Sequence, residues 1–339
     1  MDSLTQIVLG AGVGEAVLGK KIGNKAMLWG AIGGTVPDLD VMFQGLTTFV
    51  YGLSWHRGLS HSIVFFVLVS PILALLVSKL YKNKEASFKE WTWFFFAVTT
   101  THALLDCFTS WGTQLFWPHP WRVRFNNIFV ADLLYTLPFL ICVIAAMFFH
   151  RTSRKRKKMN NLGLIISSSY MILTLVSKYV VYQDVKEDLL SRNVDYQNIS
   201  TRPTPLNSIL WTAAVEREDD YMLGYRSLLD KSDSVQWSYI DKNWEVLQPY
   251  QGDDELERLL FLTQGHYVAR KKGEDILIHD LRFGQPEGIM DGEDRFVFSY
   301  LVKENEDGSL FIDKYNSPEP NWEEMKPALN QLMQRLKGI

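Results

Sequence analysis

Three short stretches of the chain carry residue types that bind cations: Pro37-Asp38-Leu39-Asp40, His56-Arg57-Gly58-Leu59-Ser60-His61-Ser62 and Thr101-His102-Ala103-Leu104-Leu105-Asp106. Imidazole nitrogens and carboxylate oxygens together are the usual donors to a catalytic metal ion. The groups sit at the ends of strongly apolar stretches, where ionisable side chains are expensive and tend to serve a function. The predicted ligands are Asp38, Asp40, His56, His61, His102 and Asp106, with Asp38 either a ligand or a general base. Arg57 is predicted to hold an anionic substrate group. His102 and Asp106 are four residues apart, hence on one face of a helix. Asp38 and Asp40 follow Pro37 and suit a turn or a helix end. His56 and His61 are five apart, and Gly58 between them permits a bend that turns both inward. Ser60 and Ser62 are placed to orient these ligands or to cap the next helix. Each group also has a plain alternative: a histidine hydrogen-bonded between helices, or Asp106 paired with Arg57. For Asp132 a helix cap is the simpler reading.

The elements that must position these groups are apolar helices. Ile63 to Ser78, Leu133 to Phe149 and Asn160 to Ser177 carry no charged residue, and Trp91 to Leu105 carries only His102. With their flanks, each approaches the ~20 residues that a bilayer needs. Leu4–Gly19 and Ala26–Met42 are weaker segments rich in small residues, which favour close helix packing; buried helices are the alternative. The Gly10-Ala11-Gly12-Val13-Gly14 run lacks the residues of a phosphate loop and reads as such packing. The expected fold is thus an all-α polytopic membrane helical bundle of about six spans over residues 1–182. A soluble α+β, β-rich domain is expected to follow over residues 183–339. Charge divides at the same place: residues 1–182 carry 17 Lys+Arg and 8 Asp+Glu, and residues 183–339 carry 18 and 30. Thirteen basic residues, Lys82 and Lys84 among them, fall in alternate connections, against Arg57, Arg122 and Arg124 in the others. That bias predicts that the site and the second domain are extracytoplasmic.

No cleavable signal peptide is expected, and Cys107 and Cys142, both in apolar segments, predict no disulfide framework. Trp111, Trp117 and Trp121 are expected at the membrane interface, and His119, His266 and His279 at the surface. In the second domain Val235–Ile240 and Arg295–Val302 read as strands, and Glu306-Asp307-Gly308 as a turn before Ser309–Ile312. Trp322–Leu336 reads as a closing helix.

The opening Met1-Asp2-Ser3-Leu4-Thr5, with the three stretches above and Thr109, resembles the YdjM-like family of bacterial membrane-bound metal-dependent hydrolases. The match covers about the first 135 residues. The chain departs from the family's pattern at Gln6, where many members have a His. The family in turn resembles the zinc-dependent phospholipase C and single-strand nuclease superfamily, in which a pair like His102-x-x-x-Asp106 binds zinc. The resemblance implies an inner-membrane hydrolase of a phosphoester in a lipid or lipid-linked substrate, with one or more zinc ions. No nucleic-acid partner is expected. The alternative is a metal-binding membrane protein without catalysis, a transporter or a sensor.

Overall fold

The computed structural model describes residues 1–80, 85–232, 234–284, 296–316 and 322–338. Lys82, Lys84 and Arg295 lie outside the described residues.

The N-terminal part is helical. Helices α1 (Ser3–Ile22) and α2 (Asn24–Gly33) precede a 3-10 segment, Pro37–Leu46; α3 (Phe49–Trp55) and a 3-10 turn, Leu59–His61, follow. Then come α4 (Ile63–Leu80), α5 (Phe88–Asp106), α6 (Leu133–Met147) and the long α7 (Arg154–Ser191). Local chemistry sets several ends. The Asp2 carboxylate caps α1 at the Thr5 amide, and Ser87 and Glu90 form a reciprocal capping box on α5. Asp132 caps α6 by accepting from the Leu134 and Tyr135 amides, the simpler reading of that residue.

The six predicted spans are not found. Among the described residues two helices are long and apolar enough to cross a membrane, α4 and α7, and α6 is apolar but only 15 residues long. The physical reason lies in what each predicted span contains. Leu4–Gly19 falls in α1, whose Glu15 is buried against Arg156 of α7, at 2.6 and 2.5 Å. Gly10 and Gly30 bring α1 and α2 into backbone contact, so close that a Cβ on Gly10 would stand 2.2 Å from the Gly30 carbonyl oxygen. Small residues here serve helix-on-helix packing. In α5 four threonines and His102 dilute the apolar run. The alternating topology, and the sidedness read from it, falls with the count.

The predicted β-rich α+β part is present. Strands β1 (Asn198–Pro203), β2 (Leu210–Glu216), β3 (Asp220–Ser227) and β4 (Trp237–Asp241) form one antiparallel meander. Helix α8 (Asp254–Thr263) follows. Strands β5 (Tyr267–Lys272), β6 (Asp275–Asp280), β7 (Ser299–Glu304) and β8 (Leu310–Lys314) form a second, and α9 (Trp322–Leu336) closes the chain. Each sheet buries one face under a helix. Val181, Val185 and Leu189, one stripe of α7, pack on Trp211, Val215 and Met222 of the first. Leu256, Leu259 and Leu262 of α8 pack on Ile278, Tyr300 and Val302 of the second. Residues 1–43, 55–176 and 205–207 form one compact unit; residues 44–54, 177–204 and 208–339 form the other. Helix α3 thus belongs to the β-rich unit, with Val50 fully buried beside Leu259 and Ile278. His266 and His279 are buried rather than on the surface, and Trp111 is buried while Trp117 and Trp121 are exposed.

Candidate metal centre

Four of the six predicted ligands converge. Asp38, His61, His102 and Asp106 each bring one donor atom into a group whose members all lie within 4.8 Å of one another. His61 Nε2 stands 3.2 Å from His102 Nε2, 3.3 Å from Asp38 Oδ1 and 3.2 Å from Asp106 Oδ2. His102 Nε2 lies 3.5 Å from each of the same two oxygens. Zinc bonds of 2.0–2.1 Å in a tetrahedron separate neighbouring donors by roughly 3.3–3.4 Å. Five donor pairs of the cluster fall around that spacing. Asp106 Oδ2 is buried, accepts no hydrogen bond from a neutral donor and faces both imidazole Nε2 atoms, at 3.2 and 3.5 Å. Such an atom is costly unless a cation meets it. The residues present therefore fit a divalent ion.

The fold presents these four donors by occupying their other atoms. His102 Nδ1 lies 2.6 Å from the Gly34 carbonyl oxygen, which can only accept, so Nδ1 carries the proton and Nε2 is the free nitrogen. The Ser60 hydroxyl donates to Asp40 Oδ2 at 2.5 Å and stands 2.9 Å from His61 Nδ1, which donates to it. His61 thereby also turns Nε2 inward. On Asp106 the second oxygen, Oδ1, is held by Gln6 Nε2 at 3.0 Å, by Arg57 at 3.2 Å and by the Met1 α-amino group. Outer contacts of this kind fix ring tautomers and carboxylate direction at metal sites. Three of the four donors are fully buried; the Asp38 side chain, 27 % exposed, marks the open side.

Asp40 and His56 stand beside this group rather than in it. Asp40 Oδ1 pairs with His56 Nδ1 at 2.9 Å, and Asp40 Oδ2 accepts from the Arg57 amide and from Ser60. Arg57 is buried, adopts a positive φ of 57° and bonds the Thr109 hydroxyl at 2.6 Å as well as Asp106. The bend between the two histidines thus falls on Arg57, not on Gly58. Sidechains with positive φ are uncommon outside special sites. The Arg57 carbonyl accepts from the Gln114 amide, which ties the loop 110–128 to the centre.

The electrostatics suit a cation. Burial alone would lower the His61 pKa, but Asp106, Asp38 and Asp40 outweigh it and push it up to about 10. Burial alone would raise Asp38 and Asp40; the imidazoles beside them hold both well below the usual carboxylate range. Asp106 is held low as well, chiefly by Arg57, against its own burial. His56 moves the other way: burial lowers it in spite of Asp40.

Sequence reasoning found all four converging residues. It missed the Gly34 carbonyl, which no side-chain pattern can reveal, and the Gln114 tie. It registered Gln6 only as a departure; the structure puts its amide on Asp106 and on the His102 carbonyl.

Fold and site together define a membrane-associated helical protein with a buried two-histidine, two-aspartate centre and an appended β-rich unit. The family described as YdjM inner membrane protein matches residues 1–181, more than half of the chain, and the chain belongs to that family. It is therefore an inner membrane protein. It is 28 % identical over 121 residues to "Inner membrane protein YbcI" of Escherichia coli (strain K12), covering 34 % of this chain and 62 % of that relative. No solved structure matches it.

Proposed function

We propose that this protein is a metal-dependent hydrolase of a phosphoester in a membrane lipid or lipid-linked substrate. The observation that carries the reading is the spacing of the four donors around the buried Asp106 oxygen. The mixed nitrogen and oxygen set at near-tetrahedral separations favours zinc. When bound, such an ion supplies Lewis acidity and brings the pKa of a water toward ~7, the chemistry that phosphoester hydrolysis at neutral pH requires.

The chain's own residues supply the rest. His61 and His102 offer Nε2 because Ser60 and the Gly34 carbonyl take Nδ1. Asp106 spends one oxygen on Gln6 and Arg57 and keeps the other for the centre. Asp38, on the open side, would be either the fourth ligand or, with the three buried donors holding the ion and a water in the fourth position, the carboxylate that accepts that water's proton. Arg57 brings a fixed positive charge beside the cluster, suited to an anionic phosphoryl group. The donors come from helix ends and 3-10 turns, not from the middle of α4 or α7. Transport sites lie near mid-bilayer between broken helices, so the placement favours an enzyme over a transporter.

The test is metal analysis of detergent-purified protein, wild type beside His102→Ala, with a phosphodiesterase and phosphomonoesterase screen on both. Metal and turnover in the wild type, both lost in the variant, are expected. A wild type that holds metal yet cleaves no phosphoester points to a sensor or transporter instead.

A further inference from the structure

The geometry points to a bilayer-docking rim around the metal centre, a surface that seats phospholipid and delivers a headgroup to Asp38 without passage through water. This rests on the reading of the centre given above and adds to it the surface that meets the substrate.

Every element that supplies a donor carries an exposed apolar residue next to it. In the 3-10 segment Pro37–Leu46, Asp38 and Asp40 turn toward the histidines, while Leu39, Val41, Met42 and Phe43 are exposed, Met42 at 74 %. Leu59 is exposed beside Ser60 and buried His61. Leu104 is exposed between buried His102 and Asp106. The loop 110–128 adds a second lip: Phe116 and Trp121 stack with ring centroids 5.8 Å apart and 7° between planes, both exposed. Backbone bonds fix this lip to the centre, Gln114 to the Arg57 carbonyl at 2.9 Å and the Ile63 amide to the Leu115 carbonyl at 3.0 Å.

The polarity is the reverse of a mouth that admits a water-soluble substrate. Charged groups (Arg57, Asp106, Arg122) are buried and large apolar side chains face outward. Contiguous exposed apolar patches mark binding surfaces. What covers this one follows from continuity: α4, a helix apolar enough to span a bilayer, starts at Ile63, two residues after His61. Trp, as at position 121, is enriched in the headgroup layer at the ends of spans. The occupant is therefore the phospholipid bilayer itself.

The full-length chain is reconstituted in vesicles of phosphatidylethanolamine and phosphatidylglycerol, with Met42→Cys labelled by an environment-sensitive fluorophore. The buried Cys107 and Cys142 are controlled for with labelled wild type. Quenching by a nitroxide on the lipid acyl chain is compared with quenching by aqueous iodide. Several-fold stronger quenching by the nitroxide is expected at Met42, and again with Trp121→Cys on the other lip. Quenching dominated by iodide at both positions overturns the rim. Metal content measured on the same samples separates the two ideas: metal retained with iodide-dominated quenching sinks the rim alone, and metal absent with nitroxide-dominated quenching sinks the metal centre alone.

Discussion

Two aspartates two residues apart, Asp38 and Asp40, do different work. Asp38 faces the imidazole nitrogens directly, and Asp40 acts through Ser60 on the far nitrogen of His61. Removing an outer contact of this type typically costs ~10–100-fold in metal affinity. Ser60→Ala is therefore expected to weaken zinc binding about 10–100-fold, with an unchanged far-ultraviolet spectrum, when titrated against a competing chelator. His61 gives a pH signature. Its pKa is raised from 6.5 to about 10 in the metal-free fold, so its stabilising contribution is full below 6.5 and is lost as pH rises toward 10. The melting temperature of chelator-treated protein is expected to fall across that window, and His61→Gln is expected to flatten the slope. Equal slopes for the two proteins would contradict the carboxylate-held proton.

Helix α1 is placed by contact rather than by lipid. Gly10 and Gly30 let α1 and α2 meet backbone to backbone, and Asp106 is reached by Gln6 one turn before Gly10. Gly10→Ala leaves no room for its methyl group against the Gly30 carbonyl, and overpacking costs about 1–3 kcal/mol. A lower melting temperature together with weaker metal binding is expected; a change in neither would show the contact to be slack. Much of this level was legible in the sequence. Trp322–Leu336 is a helix with those ends, and Leu310 and Ile312 lie in a strand after the Glu306–Gly308 turn. The count of spans was not legible, because a run without charges reports apolarity and not depth. Glu15 is neutralised by Arg156 from 141 residues away, and no local pattern announces that partner. The split between Asp38 and Asp40 was hidden for the same reason: it depends on which nitrogen of His61 each one meets.

At the scale of the whole chain, sequence order and spatial order differ. Val50 comes from the segment between the two acidic and histidine-bearing stretches, yet it is buried in the β-rich unit with Leu256 and Tyr300. Burying a valine contributes about 1.5–3 kcal/mol. Val50→Asp is expected to expose the second sheet's core to limited proteolysis while metal content is kept, and an unchanged digestion pattern would contradict that packing. The centre itself is assembled from residues 38 to 106 by the ends of helices and turns, so it reports on the N-terminal unit as a whole. Cobalt substitution reads it most directly. The wild-type chain is expected to bind about one Co(II) with the intense visible absorption of a tetrahedral nitrogen and oxygen site. His61→Ala and Asp106→Asn are each expected to abolish that band. Undiminished tetrahedral absorption in both variants, or only the weak spectrum of hydrated cobalt in the wild type, would contradict a shared site at Asp38, His61, His102 and Asp106.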